Sequence, residues 1–292
     1  MKRFDLDVEG LRATVVEPDA PNGRVLFCVP GGGMSRRYFD LPNGYSMAEH
    51  LAGRGFTVIA IDHPGVGDSP PPDDPWTLTP TYVADRDAAA VRELRTRYPG
   101  VAVGVGHSMG SGLTVVAQAR NRCYDALGLY GWAHGDNYLA TDLAAYLSPE
   151  EVAIVGDRAA IDAQVVELAK KRFGEPRPIG TTPMSDFLRG GMDVPPAGFG
   201  AIGESRSNML AVCGLASMLK GIDQEVAAVD VPVFVGVGEN DITGNVRSTA
   251  VALRSCPDIT LYVLPGAGHN HNIAPNRIDL WDRLATWAEG LG

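Results

Sequence analysis

"GVGHSMGSG", residues 104–112, sets Ser108 among four glycines just where an apolar run ends. The stretch follows "VAVGV" (101–105) and precedes "LTVVAQA" (113–119), in which Leu113, Val116 and Ala117 share one helical face. The expected local order is strand, tight turn, helix, with the serine on the turn. Gly106-His107-Ser108-Met109-Gly110 has the form G-x-S-x-G. In a strand–turn–helix setting, residues two before and two after the serine would collide with neighbouring backbone if they carried side chains. The turn raises the hydroxyl above the sheet edge and aims the Met109 N–H at a developing oxyanion. Phosphate-binding alternatives fail. A dinucleotide fingerprint starting at Gly104 needs a third glycine where Met109 stands, and no Gly-Lys-Ser/Thr of a P-loop is present.

Working outward, "RVLFCV" (24–29), "FTVIAI" (56–61), "ALGLY" (126–130), "PVFVGV" (232–237) and "ITLYVL" (259–264) repeat the character of 101–105. These short apolar runs with little polar alternation are the mark of strands buried on both faces. Helical patterns separate them: Val83, Ala84, Ala88, Val91 and Leu94 on one face, and Trp281, Leu284, Ala288 and Leu291 along a final helix. Strands alternating with helices imply an α/β fold with a mostly parallel sheet. A hairpin, "FDLDV" and "LRATVVE" about Glu9-Gly10, precedes it. Residues 137–228 break the rhythm. "SPEE" (148–151) reads as a helix start, and helical patterns follow at about 157–173 and 204–220. Residues 174–203, rich in glycine and proline, are expected to be irregular. A mostly helical insertion at 137–228 suits a cap over a core formed by 1–136 and 229–292.

The net charge of −10 argues against a nucleic-acid partner, which needs a basic face. Cys28, Cys123, Cys213 and Cys256 lack CxxC spacing, so neither a zinc site nor a disulfide framework is indicated. No window reaches the roughly 18 apolar residues of a membrane span, and "MKRFDLDVEG" has no apolar segment of a secretory signal. A cytoplasmic protein is expected.

A serine hydroxyl needs a base, and the base needs an orienting group. The six histidines are His50, His63, His107, His134, His269 and His271. His269 and His271 follow the last strand in "LPGAGHNHN", at the carboxyl edge where the elbow also lies. His269 is favoured because Gly266 and Gly268 let the loop turn sharply back. The acid belongs in a neighbouring loop: Asp241 in "VGENDITG", or Asp136 in "GWAHGDN". An oxyanion hole is available in "CVPGGGMSRRYF", where Gly31, Gly32 and Gly33 bring backbone N–H groups near a substrate oxygen. Met34, Trp132, Met184, Phe187 and Met209 suit an adaptable apolar pocket.

Serine elbow, then acid, then histidine, in that chain order, resembles the α/β-hydrolase fold family. "IDHPGVGDS" (61–69) is similar to that family's D-x-x-G-x-G-x-S segment, which braces the loop near the oxyanion site. The resemblance carries over Ser108 as nucleophile, Asp241 as acid and His269 as base. It also favours His269 over His271 through "GAGH" (266–269). Met109 with Gly32 or Gly33 would complete the oxyanion hole, and 137–228 takes the place of the family's cap. Pro30-Gly31 departs from the His-Gly of many members. The implied chemistry is acyl transfer to water on a small molecule with an apolar acyl part, an ester or lactone, without metal or cofactor. A thioester, an amide, C–C cleavage and a non-turnover ligand receptor are the alternatives.

Overall fold

The computed structural model describes residues 1–134, 154–178, 193–219 and 221–292. The expected helix start at 148–151, Asp136, Met184 and Phe187 lie outside the described residues.

The sheet has eight strands: β1 (Lys2–Val8), β2 (Leu11–Glu17), β3 (Arg24–Val29), β4 (Thr57–Ile61), β5 (Val101–His107), β6 (Ala126–Tyr130), β7 (Val233–Gly238) and β8 (Ile259–Leu264). Their spatial order is β1-β2-β4-β3-β5-β6-β7-β8. β1 and β2 pair antiparallel, β2 joins β4 antiparallel, and every other pairing is parallel. The six apolar runs fall on β3 to β8 within one or two residues. Five of them are buried along nearly their whole length, because helices cover both faces. β8 alternates toward exposure at Leu261 and Val263, as the last strand of the sheet.

On one face lie α1 (Met47–Gly53) and the C-terminal helix. Met47, Ala48 and Leu51 share a core with Trp281, Leu284 and Ala288. On the other face, α2 (Pro80–Arg97) contributes Ala84, Ala88 and Val91, and α3 (Met109–Asn121) contributes Val115 and Val116. Between β6 and β7 the described residues form a helical insertion: α4 (Arg158–Phe173), α5 (Pro196–Gly203), α6 (Ala211–Met218) and α7 (Asp223–Ala228). Ile161, Val165 and Leu168 of α4 join Ala211, Val212 and Leu215 of α6 in the core under α2 and α3. α8 (Arg247–Ala252) follows β7, and α9 (Arg277–Glu289) ends the fold.

The insertion departs from expectation in two places. Residues 196–203 are helical although glycine-rich. Pro196 occupies the first turn, where its missing N–H costs nothing. At Gly198 a Cβ would stand 3.0 Å from Val194 Cγ1 and 3.4 Å from Ile273 Cβ, so glycine permits the close packing. Conversely, the helix expected at about 204–220 begins only at Ala211. Residues 205–209 instead pair with the loop after β3: Ser35 N–H donates to the Ser205 carbonyl at 2.7 Å, and Ser207 N–H to that of Gly33 at 2.9 Å. Long-range backbone bonds have overridden a local helical preference.

Candidate active site

β3, β5, β7 and β8 run parallel, so the loops that follow them emerge at one edge of the sheet. Ser108 caps β5 with φ 53° and ψ −121°, a strained conformation for a residue with a side chain. Its amide donates to the Tyr130 carbonyl at 2.7 Å and helps to hold the turn. Glycine is obligatory on both sides. A Cβ on Gly106 would lie 2.4 Å from the Ser111 backbone, and one on Gly110 would lie 2.4 Å from the Pro30 carbonyl oxygen.

Ser108 Oγ lies 3.0 Å from His269 Nε2, and His269 Nδ1 lies 2.8 Å from Asp241 Oδ1. The three groups form one hydrogen-bonded chain across loops 133 and 28 residues apart in sequence. Asp241 and His269 are both buried, at 1% and 7% side-chain exposure. Burial alone would raise the Asp241 carboxyl. The charge of His269 and hydrogen bonds from His269 and His271 outweigh it and hold the group well below the usual carboxylate range. His271 Nε2 is 2.9 Å from Asp241 Oδ2, the oxygen that His269 leaves open.

The glycine loop closes the other side. A Cβ on Gly31 would stand 3.0 Å from Ser108 Cβ, which places Gly31 against the Ser108 turn. Met109, at the start of α3, has an N–H with no intrahelical acceptor. Met209 packs over Gly32, with Cγ 3.1 Å from where a Cβ would be, and Met109 Sδ lies 4.0 Å from the same point. Met34 bridges to Arg206. Trp132 is stacked on His134, is 2% exposed and donates its indole N–H to Ser217 Oγ at 3.2 Å.

The remaining histidines have other partners. His107 packs at a tilt against Tyr38 and places Nε2 3.0 Å from the His269 carbonyl; burial and the neighbouring imidazoles favour its neutral form. His50 pairs with Asp282 and His134 with Asp223.

The "IDHPGVGDS" segment forms the floor beneath the glycine loop. Buried Asp62 accepts from the Arg36 amide and pairs with the Arg36 guanidinium, and Gly67 is glycine because a Cβ would lie 2.2 Å from Asp62 Oδ2. His63 is wholly buried, with Nδ1 2.6 Å from Asp87 Oδ2 and Nε2 3.0 Å from the Pro30 carbonyl. Both neighbours can accept, so the site favours a ring protonated on both nitrogens. Burial opposes this, but Asp87 prevails and the pKa is raised. A group raised in the folded state stabilises fully below its unfolded value, and that stability is lost as pH climbs through the folded value. Thermal unfolding should therefore show a falling midpoint above about pH 6.5. The double variant His63→Leu, Asp87→Leu should lose that decline. Neither this pair nor the bonds from residues 205–209 to the glycine loop was legible beforehand, because both join segments distant in sequence.

The described residues contain no helix long and apolar enough to cross a membrane.

A doubly covered parallel sheet with a serine elbow at its carboxyl edge defines the hydrolase-type α/β class. The model of the alpha/beta hydrolase family matches residues 25–278, and the chain belongs to that family. A search of curated protein sequences finds no match. Among solved structures, the chain is similar to a highly thermostable carboxyl esterase from Bacillus coagulans, at 18% identity and TM-score 0.67, covering 99% of this chain and 98% of that one. It is also similar to a thermophilic esterase from Thermogutta terrifontis, at 19% identity and TM-score 0.64, covering 100% and 99%. A thioesterase domain from the curacin biosynthetic pathway shares 16% identity, TM-score 0.56 and coverage of 99% and 98%. At these identities the likeness establishes the fold.

Proposed function

We propose that the chain is a serine hydrolase that cleaves a carboxylic ester or lactone with an apolar acyl part through an acyl-enzyme intermediate. The observation that carries this reading is the unbroken chain from Ser108 Oγ through His269 to Asp241 at a strained elbow. His269 Nε2 takes the hydroxyl proton as Oγ attacks the carbonyl carbon, and Asp241 stabilises the imidazolium that results. The new oxyanion meets the Met109 N–H and that of Gly32 or Gly33. Gly32 is favoured, because its amide is bonded to the carbonyl carbon of Gly31, the residue that abuts Ser108. The positive end of α3 adds to that field. His269 then returns its proton to the leaving alkoxide and activates water against the acyl-enzyme.

Met34, Met109 and Met209 beside the glycine loop support an apolar acyl group. Residues 137–228 would act as the cap on a core of 1–136 and 229–292. The small molecule would be the only partner that the chemistry requires.

The test is a panel of chromogenic acyl esters graded in chain length, with lactones, acyl thioesters and anilides. Steady release from the esters or lactones, with kcat/KM rising along the acyl chain, is the expected result. Stoichiometric binding without turnover would make the protein a receptor. Hydrolysis confined to thioesters would move the reading to that class, for which the thioesterase-domain likeness is the supporting observation.

A further inference from the structure

His271 is the histidine that the serine does not use, yet it is fully buried against the acid. Its Nε2 lies 2.9 Å from Asp241 Oδ2, while the Gly238 amide lies 3.0 Å from that same nitrogen and 3.4 Å from Oδ2. One ring nitrogen cannot donate to the carboxylate and also accept from the amide, so the position of the proton decides between them. His271 Nδ1 is buried with no hydrogen-bond partner among the described residues. A proton there would be an orphaned donor, and Nε2 would face a carboxylate oxygen with its lone pair. A proton on Nε2 removes both penalties at the cost of the 3.0 Å amide contact and leaves on buried Nδ1 only an unused lone pair, a smaller loss than an orphaned donor beside an unmet carboxylate. His271 then donates to Oδ2, and the Gly238 N–H points to the same oxygen.

The ring cannot swing away. The rings of His107 and Tyr130 stand edge-on to it. It also lies in the short helical turn His271–Ile273, whose next residue, Asn272, is tied to Tyr38 and Trp281.

We infer that His271 is a positioning residue for the proposed triad: it clamps the second oxygen of Asp241 so that the first stays aimed at His269 Nδ1. This inference rests on the serine-hydrolase reading. Two imidazoles flanking one carboxylate fix its plane, which a single partner does not, and a carboxylate that rotates takes His269 with it.

The experiment measures kcat and KM on a chromogenic ester for His271→Leu, His271→Gln, Asp241→Asn, and Asp241→Asn combined with His271→Leu. Fluorophosphonate labelling of Ser108 counts competent protein, and thermal midpoints record stability. His271→Leu should lower kcat by about 10- to 100-fold, as when a group orienting a catalytic side chain is removed, with KM within about threefold. His271→Gln, whose amide nitrogen can reach the place of Nε2, should restore kcat to within about threefold of the parent. The combined variant is the sharpest arm. In Asp241→Asn, the Nε2–H of His271 attracts the amide oxygen and turns the amide NH₂ toward His269 Nδ1, which puts the His269 proton on the wrong nitrogen. Removing His271 frees that amide, so the second substitution should cost nothing or return activity. A His271→Leu protein with unchanged kcat and only a lower thermal midpoint overturns the inference, as does a full multiplicative loss in the combined variant. If Ser108→Ala retains turnover, the triad reading falls and the role of His271 falls with it. Normal dependence on Ser108 with an inert His271 removes the clamp alone.

Discussion

Ser108→Ala is expected to lower kcat by at least about 10⁴-fold while leaving the thermal midpoint nearly unchanged. The effect on rate follows from losing the group that the proposed mechanism makes the nucleophile: Oγ stands 3.0 Å from His269 Nε2 on the turn between β5 and α3. A residual rate would come from binding and the oxyanion donors, which the substitution leaves in place. Stability should be preserved because the turn is held by the Ser108 amide on Tyr130 and by the close approaches at Gly106 and Gly110, none of which involves Oγ. The φ of 53° is already strained for any residue with a Cβ, so alanine adds little to it. Ester turnover and fluorophosphonate labelling read the result. Persistent hydrolysis by the purified variant would remove Ser108 from the mechanism.

Asp241→Asn is expected to cost about 10⁴-fold in kcat, with KM changed far less. In the proposed mechanism the carboxylate accepts only, so it would hold the His269 proton on Nδ1 and leave Nε2 free to take one from serine. An amide can present its NH₂ to Nδ1 and reverse that arrangement. The electrostatic part is lost as well, since the neutral amide no longer stabilises the imidazolium. Asp136→Asn is the paired measurement, and it should change kcat by less than about threefold. If Asp136→Asn abolishes turnover and Asp241→Asn does not, the loop after β6 supplies the acid instead.

Comparing the residue pattern with the folded chain separates two kinds of information. The six apolar runs became β3 to β8 because a strand covered on both faces must be apolar throughout, and that requirement is written locally. The elbow was legible from its glycine pattern and its strand and helix flanks; the Cβ excluded at Gly106 meets backbone only a few residues away, whereas the one excluded at Gly110 meets Val29 and Pro30, far off in sequence. Residues 196–203 misled because glycine lowers helix propensity, whereas Gly198 serves a contact with Ile273 that no local window contains.

The amino-acid sequence by itself determined the α/β class, the order of its strands along the chain, and which serine stands on a tight turn between a strand and a helix. Each depends on hydrophobic period or on the local glycine pattern of a strand–turn–helix elbow. Only the tertiary structure decided which oxygen of Asp241 faces which histidine, that His63 is buried between Asp87 and the Pro30 carbonyl, and that Ser205 and Ser207 hold the glycine loop. Hydrogen-bond partnership between distant segments depends on ångström-scale approach and on which atom carries the proton, and neither is encoded in residue type or spacing.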